Sequence, residues 1–237
     1  MIIKKREVIF SITIISLMVM LGLRIAEGIH QDILEDYLMY DTAVQIETEE
    51  VFRYGLKTEI GYAFVYGELV ALDPVTFPEI GGEYSYVKKE EQEYRRHERV
   101  VTKIDKDGKT YTEIEYYWTW DVIHTYYKSA SEISFLNVKF FWGKIPFPSA
   151  REIACRTTGY HKRNVYYAKK VKYKGTIFTN LTNRTINDTE FYDQKSIDET
   201  IEYLESGHPI IWFWFFWVIL TAMLVAVFYY FDNRWLD

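Results

Sequence analysis

The chain has 237 residues, of which 49% are apolar, and its 28 Lys and Arg against 34 Asp and Glu give a formal charge of -6. This apolar content excludes a wholly disordered chain, and an acidic balance without a Lys/Arg block argues against a nucleic-acid binder. The lone cysteine, Cys155, excludes a disulfide scaffold and a multi-cysteine zinc module.

The first predicted element is a membrane-spanning helix over residues 8–28, preceded by a basic segment over residues 1–7. Residues 8–23 carry no charge and cover about 24 Å as a helix, so flanking arginines must snorkel to complete a hydrocarbon core of about 30 Å. Two interpretations stay open. One is an uncleaved signal anchor, which we favour because helical periodicity continues beyond this segment. The other is a signal peptide cleaved at the Ala-Glu-Gly pattern of residues 26–28.

A polar, mostly-β middle follows over residues 29–208. Its first residues continue the helical pattern, because Ile29, Ile33 and Tyr37 fall on one face, and this predicts a juxtamembrane helix. An Asp-Gly pair at residues 107–108, flanked by β-rich sequence, is the strongest hairpin signal. Strands are predicted near residues 59–72, 84–104, 111–122, 132–141, 165–172 and 175–181.

The chain returns to helix before its second apolar segment. Ser196 and Glu199 form a capping box, and Gly207 with Pro209 ends the short helix that they begin, which is the second predicted juxtamembrane helix. Residues 209–231 then contain no charge and match the bilayer core in length, so they are predicted to form a transmembrane helix.

Residues suited to the membrane–water interface flank both spans. Basic side chains flank the first span, and aromatic side chains crowd both ends of the second, as in the aromatic belts of membrane proteins. The predicted interface residues are Lys4, Lys5, Arg6, Arg24, Trp212, Trp214, Trp217, Tyr229, Tyr230 and Trp235. Small residues spaced four apart predict close helix packing, at Gly22 with Ala26 and at Ala222 with Ala226.

These elements predict an α+β membrane protein. Two transmembrane helices flank a mostly-β extracytoplasmic domain that has a juxtamembrane helix at each end. The Lys and Arg residues before the first span favour a cytoplasmic N-terminus. Residues 29–208 are then extracytoplasmic, and the tail at residues 232–237 returns to the cytoplasm. The predicted location is the cell membrane, which the chain crosses twice.

The sequence shows no pattern typical of a catalytic or metal site. The five histidines stand singly, without the HExxH or i,i+4 spacing of a zinc site. A calcium loop built around Gly108 would place Lys103 and Ile114 where carboxylates are needed. Cys155 lies near basic residues but has no assignable catalytic partner. We therefore predict that the protein is not an enzyme and that it carries no cofactor and no metal.

Three Asn-x-Thr sequons lie close together, at Asn180, Asn183 and Asn187. In a eukaryote they would mark an exposed, glycosylated loop. In a bacterium they would form a turn rich in Asn and Thr, which is the interpretation that we favour. The mass of the native protein would distinguish the two.

Several segments carry a resemblance to known families. The chain resembles the beside-a-membrane β domain of the transmembrane-protein-43 (LUMA) family and of GIDE-type ligases in three segments. These are Tyr-Gly-Glu-Leu at residues 66–69, Tyr-Ser-Tyr-Val at 84–87 and Tyr-Tyr-Trp-Thr-Trp at 116–120. The whole chain, including its ending at residues 229–236, is similar to two-span proteins of Firmicutes and their phages. The resemblance implies a membrane-tethered β domain. It implies no ligase activity, because one cysteine cannot build a RING module.

The expected function is binding or scaffolding by a membrane-anchored domain, as part of an assembly at the cell envelope. Its expected partners are the lipid bilayer, other membrane or envelope proteins and a second copy of the chain, with no nucleic acid. One alternative is a sensor or receptor that binds a small ligand or an envelope glycan on an aromatic surface. Another is an exported hydrolase whose site gathers dispersed residues such as His124 and Cys155.

Overall fold

The computed structural model describes residues 5–106 and 108–234, with side chains for residues 8–106 and 108–231. It has long apolar helices near both ends and a mostly-β centre, as predicted. The chain forms two compact units. One contains the residues before Val44 and after Ile197, and the other is Val44–Ile197. We call them the helical unit and the β unit.

Four helices and ten strands lie in the described part of the chain. The helices are α1 (Lys5–Thr42), α2 (Glu49–Thr58), α3 (Ile197–Glu205) and α4 (Pro209–Arg234). The strands are β1 (Val44–Ile46), β2 (Gly61–Ala71), β3 (Tyr86–Ile104), β4 (Thr110–Ser129), β5 (Glu132–Phe135), β6 (Val138–Phe141), β7 (Arg151–Gly159), β8 (Lys162–Lys169), β9 (Lys172–Thr182) and β10 (Thr185–Asp193).

In the helical unit, α1 is one continuous helix of 38 residues, and the predicted span and juxtamembrane helix are its two halves. It is about 57 Å long and α4 is about 39 Å long, so both exceed a hydrocarbon core of about 30 Å. The short helix α3 begins directly after the predicted cap at Ser196. The hydroxyl of Tyr37 donates to the carbonyl oxygen of Glu205 at 2.9 Å. The second half of α1 therefore contacts the end of α3.

The β unit consists of two sheets. In the first sheet the strand order is β10-β9-β2-β5-β6, with β1 parallel to β2. In the second sheet the order is β4-β3-β8-β7. The other strand pairs of both sheets are antiparallel. Strand β4 is therefore an edge strand whose sheet neighbour is β3.

The core of the β unit packs α2 with residues of the first sheet. Phe52 and Leu56, four residues apart, share one helix face and are buried. The ring of Phe52 meets that of Phe135 edge to face, with the centroids 6.2 Å apart. The hydroxyl of Thr48 accepts from the backbone N–H of Val51 at the helix start. This helix was not predicted, and it is why the strand expected over residues 59–72 begins at Gly61.

Strands β1, β7 and β10 were also not predicted, and the single strand expected over residues 132–141 is the hairpin of β5 and β6. Strands β7 and β10 each lie at the edge of a sheet. Edge strands carry many polar and charged side chains, which prevent pairing with other chains and weaken the alternation of apolar and polar residues. The sequence pattern therefore indicated the inner strands more clearly than these outer ones.

Asp73 joins the end of β2 to the start of β5. Its carboxylate accepts from the backbone N–H and the hydroxyl of Ser131, at 2.8 and 2.5 Å, and from the backbone N–H of Glu132 at 3.0 Å. The hydrogen bond from the Ser131 hydroxyl, followed by that from the Glu132 backbone, holds the pKa of Asp73 below its usual value. The charged form of Asp73 is thus favoured by folding.

We expect Asp73→Asn to lower the midpoint of thermal unfolding at pH 7, measured by circular dichroism on the full chain in detergent. A lowered pKa contributes stability above the unfolded-state value of about 3.9, and this contribution is lost as the pH falls through the folded-state value. The gap between variant and wild type should therefore close below about pH 4. Glu83→Gln, at an exposed loop position, is the control. A gap that does not depend on pH would contradict this account.

Candidate functional site

The predicted interface residues lie on α1 and α4, apart from those at the chain ends. Lys4 and Trp235 lie outside the described residues, and so do the side chains of Lys5 and Arg6. The side chain of Arg24 is 85% exposed and forms an ion pair with Glu27 at 3.9 Å. The exposed aromatic residues of the prediction are Trp212 and Tyr230, and the half-buried ones are Trp214, Trp217 and Tyr229.

Trp217 is the main contact between the two long helices. Its indole Nε1 donates to the carbonyl oxygen of Met18 at 2.9 Å. A Cβ atom added to Gly22 would lie 2.6 Å from the same nitrogen and 3.1 Å from the ring of Trp214. Glycine therefore leaves the space that these indole rings occupy. In a lipid environment an indole N–H has no water to bond to, so a backbone acceptor matters there.

The two small-residue pairs are placed differently. Gly22 and Ala26 are buried on the side of α1 that also buries Ser11 and Met18. Phe10 and Phe228 extend the contact between the helices, with ring centroids 5.8 Å apart. By contrast, Ala222 and Ala226 lie on the exposed side of α4. Gly22 and Ala26 therefore lie in the contact between the two helices, whereas Ala222 and Ala226 lie outside it.

A two-stranded ribbon extends from the second sheet. Strand β8 pairs with β3 only from Tyr86 to Glu93, whereas β3 and β4 stay paired to the far end of both strands. Residues 94–104 and 110–120 therefore form a ribbon about 36 Å long, in which each strand has the other as its sheet neighbour within the described residues. We call this part of β3 and β4 the ribbon.

Successive side chains along a strand point to opposite sides. One face of the ribbon carries most of its charged groups, together with Val101, Tyr111 and Tyr117, and we call it the polar face. Charged groups on this face pair with each other and with the residues at its base. The ion pairs are Arg95 with Glu93 at 2.6 Å, Arg99 with Glu115 at 2.9 Å and Lys103 with Glu113 at 2.8 Å. His97 and Asp121 share a hydrogen bond of 2.7 Å. The polar face is thus electrostatically satisfied within the chain.

The pKa values of the carboxyl groups agree with this pairing. Hydrogen bonding to Arg99 lowers the pKa of Glu115, and hydrogen bonding to Arg95 lowers the pKa of Glu93. The pKa of Asp121 is lowered first by the hydroxyl of Thr119 and then by His97. These carboxyl groups are half-buried and their arginine partners are exposed, so solvent screening keeps each pair weak. Together they favour a charged, solvated face.

The other face of the ribbon is aromatic and aliphatic. It carries, in addition to three threonines, the side chains of Tyr94, Arg96, Glu98, Val100, Ile104, Ile114, Tyr116, Trp118 and Trp120. We call it the apolar face. Val100 is 71% exposed and Ile104 is 74% exposed, and Ile114, Tyr116 and Trp118 are also exposed. A contiguous apolar surface of this kind marks a binding site more often than isolated exposed residues do.

The base of the apolar face is held by the turn between β7 and β8. The backbone N–H of Tyr94 donates to the carbonyl oxygen of His161 at 2.9 Å. Tyr94 stacks on Trp118 with the ring centroids 5.4 Å apart. The guanidinium of Arg163 lies 4.1 Å from the ring centre of Trp120. These contacts give the ribbon a firm attachment, while its outer half lacks such support.

Two charged side chains interrupt the apolar face, and they differ from those on the polar face. The guanidinium of Arg96 lies 4.8 Å from the ring centre of Tyr116, and neither it nor Glu98 belongs to any ion pair found in the described residues. Both are exposed. The apolar face therefore presents one positive and one negative group, two residues apart on β3, to a partner.

The β unit also contains a cleft of about 620 Å³. Lys169 and Tyr173 line it together with Arg151, Glu152 and Asp193. Burial lowers the pKa of Lys169, whose ammonium donates to the carbonyl oxygen of Phe147 at 3.1 Å. Burial also raises the pKa of Tyr173. The cleft could accept a small polar molecule, but its charges of both signs do not select one class.

The remaining residues singled out in the sequence do not gather into one site. His124 lines a separate cavity, while Cys155 lies exposed on β7. In the part of the chain that the structure describes, no group of three His, Cys, Asp or Glu side chains could hold a metal ion. Asn180 and Asn187 face each other across the β9–β10 hairpin. Asn183 lies in its turn with a φ of 54°.

Comparisons with known proteins do not indicate a function for this chain. No family model, curated protein or solved structure matches the chain. The resemblance to beside-a-membrane β domains therefore stays an expectation from the sequence. Sequence reasoning identified the β3–β4 hairpin and its aromatic residues but did not separate the two faces. The signal available was the two-residue spacing of Tyr116, Trp118 and Trp120 in β4.

We expect Gly22→Leu to separate α1 from α4, because the added side chain meets Trp217 and Trp214. The measurement is bismaleimide crosslinking between Phe10→Cys and Phe228→Cys in a Cys155→Ser background, in native membranes. The crosslinked fraction should fall at least severalfold. Ala222→Leu, on the exposed side of α4, should leave that fraction unchanged. Equal effects of the two substitutions would show that the helix contact is not as described.

Proposed function

We propose that this protein is anchored in a membrane by α1 and α4 and displays its β unit outside the cytoplasm, where the ribbon docks another protein. In this proposal it acts by binding and scaffolding rather than by catalysis. The observation that carries the proposal is the apolar face of the ribbon, which is exposed, firmly attached at its base and free of internal charge pairing.

The length and composition of the two helices support membrane anchoring. Both contain an 18-residue window that is apolar enough to cross a bilayer, with mean hydropathy of 2.3 and 2.5. In α4, none of that window is buried within the protein, so its apolar side chains need another apolar environment. Basic residues before the first apolar segment favour a cytoplasmic N-terminus, which puts the β unit on the opposite side.

The physics of two-stranded ribbons supports docking. An isolated two-stranded hairpin is marginally stable in water, and a third strand or a covered apolar face is what makes such a structure robust. The ribbon keeps eleven residues of each strand beyond the last pairing with β8. A partner that covered its apolar face would stabilise it and would also remove exposed Val100, Ile104 and Ile114 from water.

The shape of the aromatic surface favours a macromolecule over a small ligand. Small-molecule sites are concave and bury most of their ligand. The aromatic residues of the ribbon lie instead along one face of a narrow, two-stranded structure, with Trp118 and Tyr116 exposed. Tyr, Trp and Arg on one surface are also the residue types enriched where proteins bind one another.

The native cysteine tests the orientation of the β unit. Cys155 is exposed on β7 and is the one cysteine of the chain. We expect a membrane-impermeant maleimide to label it in intact cells. As a control, Asp237→Cys in a Cys155→Ser background should be labelled only after the membrane is permeabilised. The opposite pattern would contradict an extracytoplasmic β unit.

The docking surface is tested by a photocrosslinking amino acid placed on either face of the ribbon. We expect crosslinks to a protein partner in cells from position 114 and few or none from position 113. Ile114 and Glu113 are neighbours in the chain that point to opposite faces. Equal crosslinking from both positions, or none from position 114, would contradict docking through the apolar face.

A further inference from the structure

The charges of the apolar face form a self-complementary pattern. Along β3 the face presents Tyr94, Arg96, Glu98 and Val100 in that order. Arg96 and Glu98 stand in the half of the ribbon nearer its base, with aromatic side chains towards the base and aliphatic ones towards the tip. A partner for this surface has to supply a negative group and a positive group at the same two-residue spacing, between an aliphatic and an aromatic patch.

A second copy of the same face meets this requirement when it runs in the opposite direction. Two ribbons stacked with their apolar faces together can be related by a two-fold axis that lies midway between them and runs perpendicular to the strands. This axis places β3 of one copy over β3 of the other, with the two strands antiparallel. When the axis passes the level of His97, Arg96 of one copy lies against Glu98 of the other, and the reverse. At the same level Trp118 meets Tyr116, and further along the strands Tyr94 meets Val100.

We infer that two copies of this chain pair through the apolar faces of their ribbons, antiparallel and related by a two-fold axis. Such an interface is isologous, since each copy contributes the same surface. Two ribbons stacked face to face would bury their apolar side chains between them, as the two sheets of a sandwich do. The inference rests on the proposed function, because both ribbons have to be displayed on the same side of one membrane.

Charge argues for a second copy over a lipid surface. A ribbon that inserted its apolar face among lipids would bring Glu98 towards an apolar or anionic environment without a partner, which is unfavourable. In the self-paired arrangement the same carboxylate meets a guanidinium. The polar face offers no comparable opening, since its charged groups already pair within the chain.

The size of the face suggests a reversible pairing that depends on the membrane. The ribbon is about 36 Å long, and its width is that of two strands spaced about 4.8 Å apart. The area of its apolar face is therefore small compared with a standard interface of about 800 Å² per partner. Anchoring both copies in one bilayer raises their effective concentration, so that a weak contact is sufficient. We therefore expect a dimer that dissociates when the protein is diluted in detergent.

The test is a charge exchange in the full chain, reconstituted in detergent micelles and measured by light scattering and native mass spectrometry over a dilution series. Glu98→Arg places like charges against each other and should raise the dimer dissociation constant about tenfold or more. Arg96→Glu should do the same. The double variant Arg96→Glu with Glu98→Arg restores opposite charges across the axis and should return the constant to near the wild-type value.

Mixing provides a second, stricter measurement. The two single variants, each of which pairs only weakly with itself, should form a heterodimer when combined, because every charge then meets its opposite. Arg99→Glu, on the polar face, is the matched control and should leave the wild-type dimer intact. The thermal unfolding midpoint of each variant checks that the fold is preserved, which we expect because Arg96 and Glu98 are exposed.

The outcomes separate this inference from the proposed function. A wild-type chain that stays monomeric even at the highest protein-to-detergent ratio, a dimer that Glu98→Arg does not weaken, or single variants that fail to combine would each overturn self-pairing. If position 114 then still crosslinks to a different protein in cells, docking through the ribbon stands and only the identity of the partner is wrong. If position 114 crosslinks to nothing, both the inference and the proposed function fail.

Discussion

The pairing of β3 with β4 is the constraint from which the features of the proposed site follow. Beyond Glu93, β3 pairs with β4 but no longer with β8 within the described residues, and Tyr94 makes one further backbone hydrogen bond to His161 in the β7–β8 turn. Two strands without a third enclose no core. Every side chain of the ribbon is therefore exposed to some degree, and the ribbon can hide apolar residues only by concentrating them on one face and covering that face from outside.

The two faces of the ribbon differ in how their charges are used. On the polar face Arg99 and Lys103 have acidic partners across the strand, which keeps the face solvated without attracting a specific partner. On the apolar face, Arg96 and Glu98 stand without such partners. Unpaired charges on an apolar surface make its binding specific. A partner that lacks the opposite charges would leave them without a counter-charge, which is unfavourable.

The helical unit combines a small residue on one helix with large aromatic residues on the other. Gly22 lets the indole of Trp217 approach closely enough to bond to the carbonyl oxygen of Met18. Close approach of this kind is a principal source of helix association in lipid, where the hydrophobic effect gives no advantage to apolar contacts between helices. The same contact leaves Ala222 and Ala226 on an exposed side of α4, which could meet lipid or another helix.

The sequence alone determined the apolar helices, the start of α3 after Ser196 and the β3–β4 hairpin, because each depends on residues close together in the chain. Composition and length identify a possible span, a capping box identifies a helix start, and an Asp-Gly pair identifies a turn. Tertiary structure alone decided where β8 stops, and hence how much of the hairpin is unsupported. It also decided that Trp217 contacts α1 and that β7 and β10 are strands at all. These features depend on contacts between residues far apart in the chain, and local periodicity carries no information about such contacts.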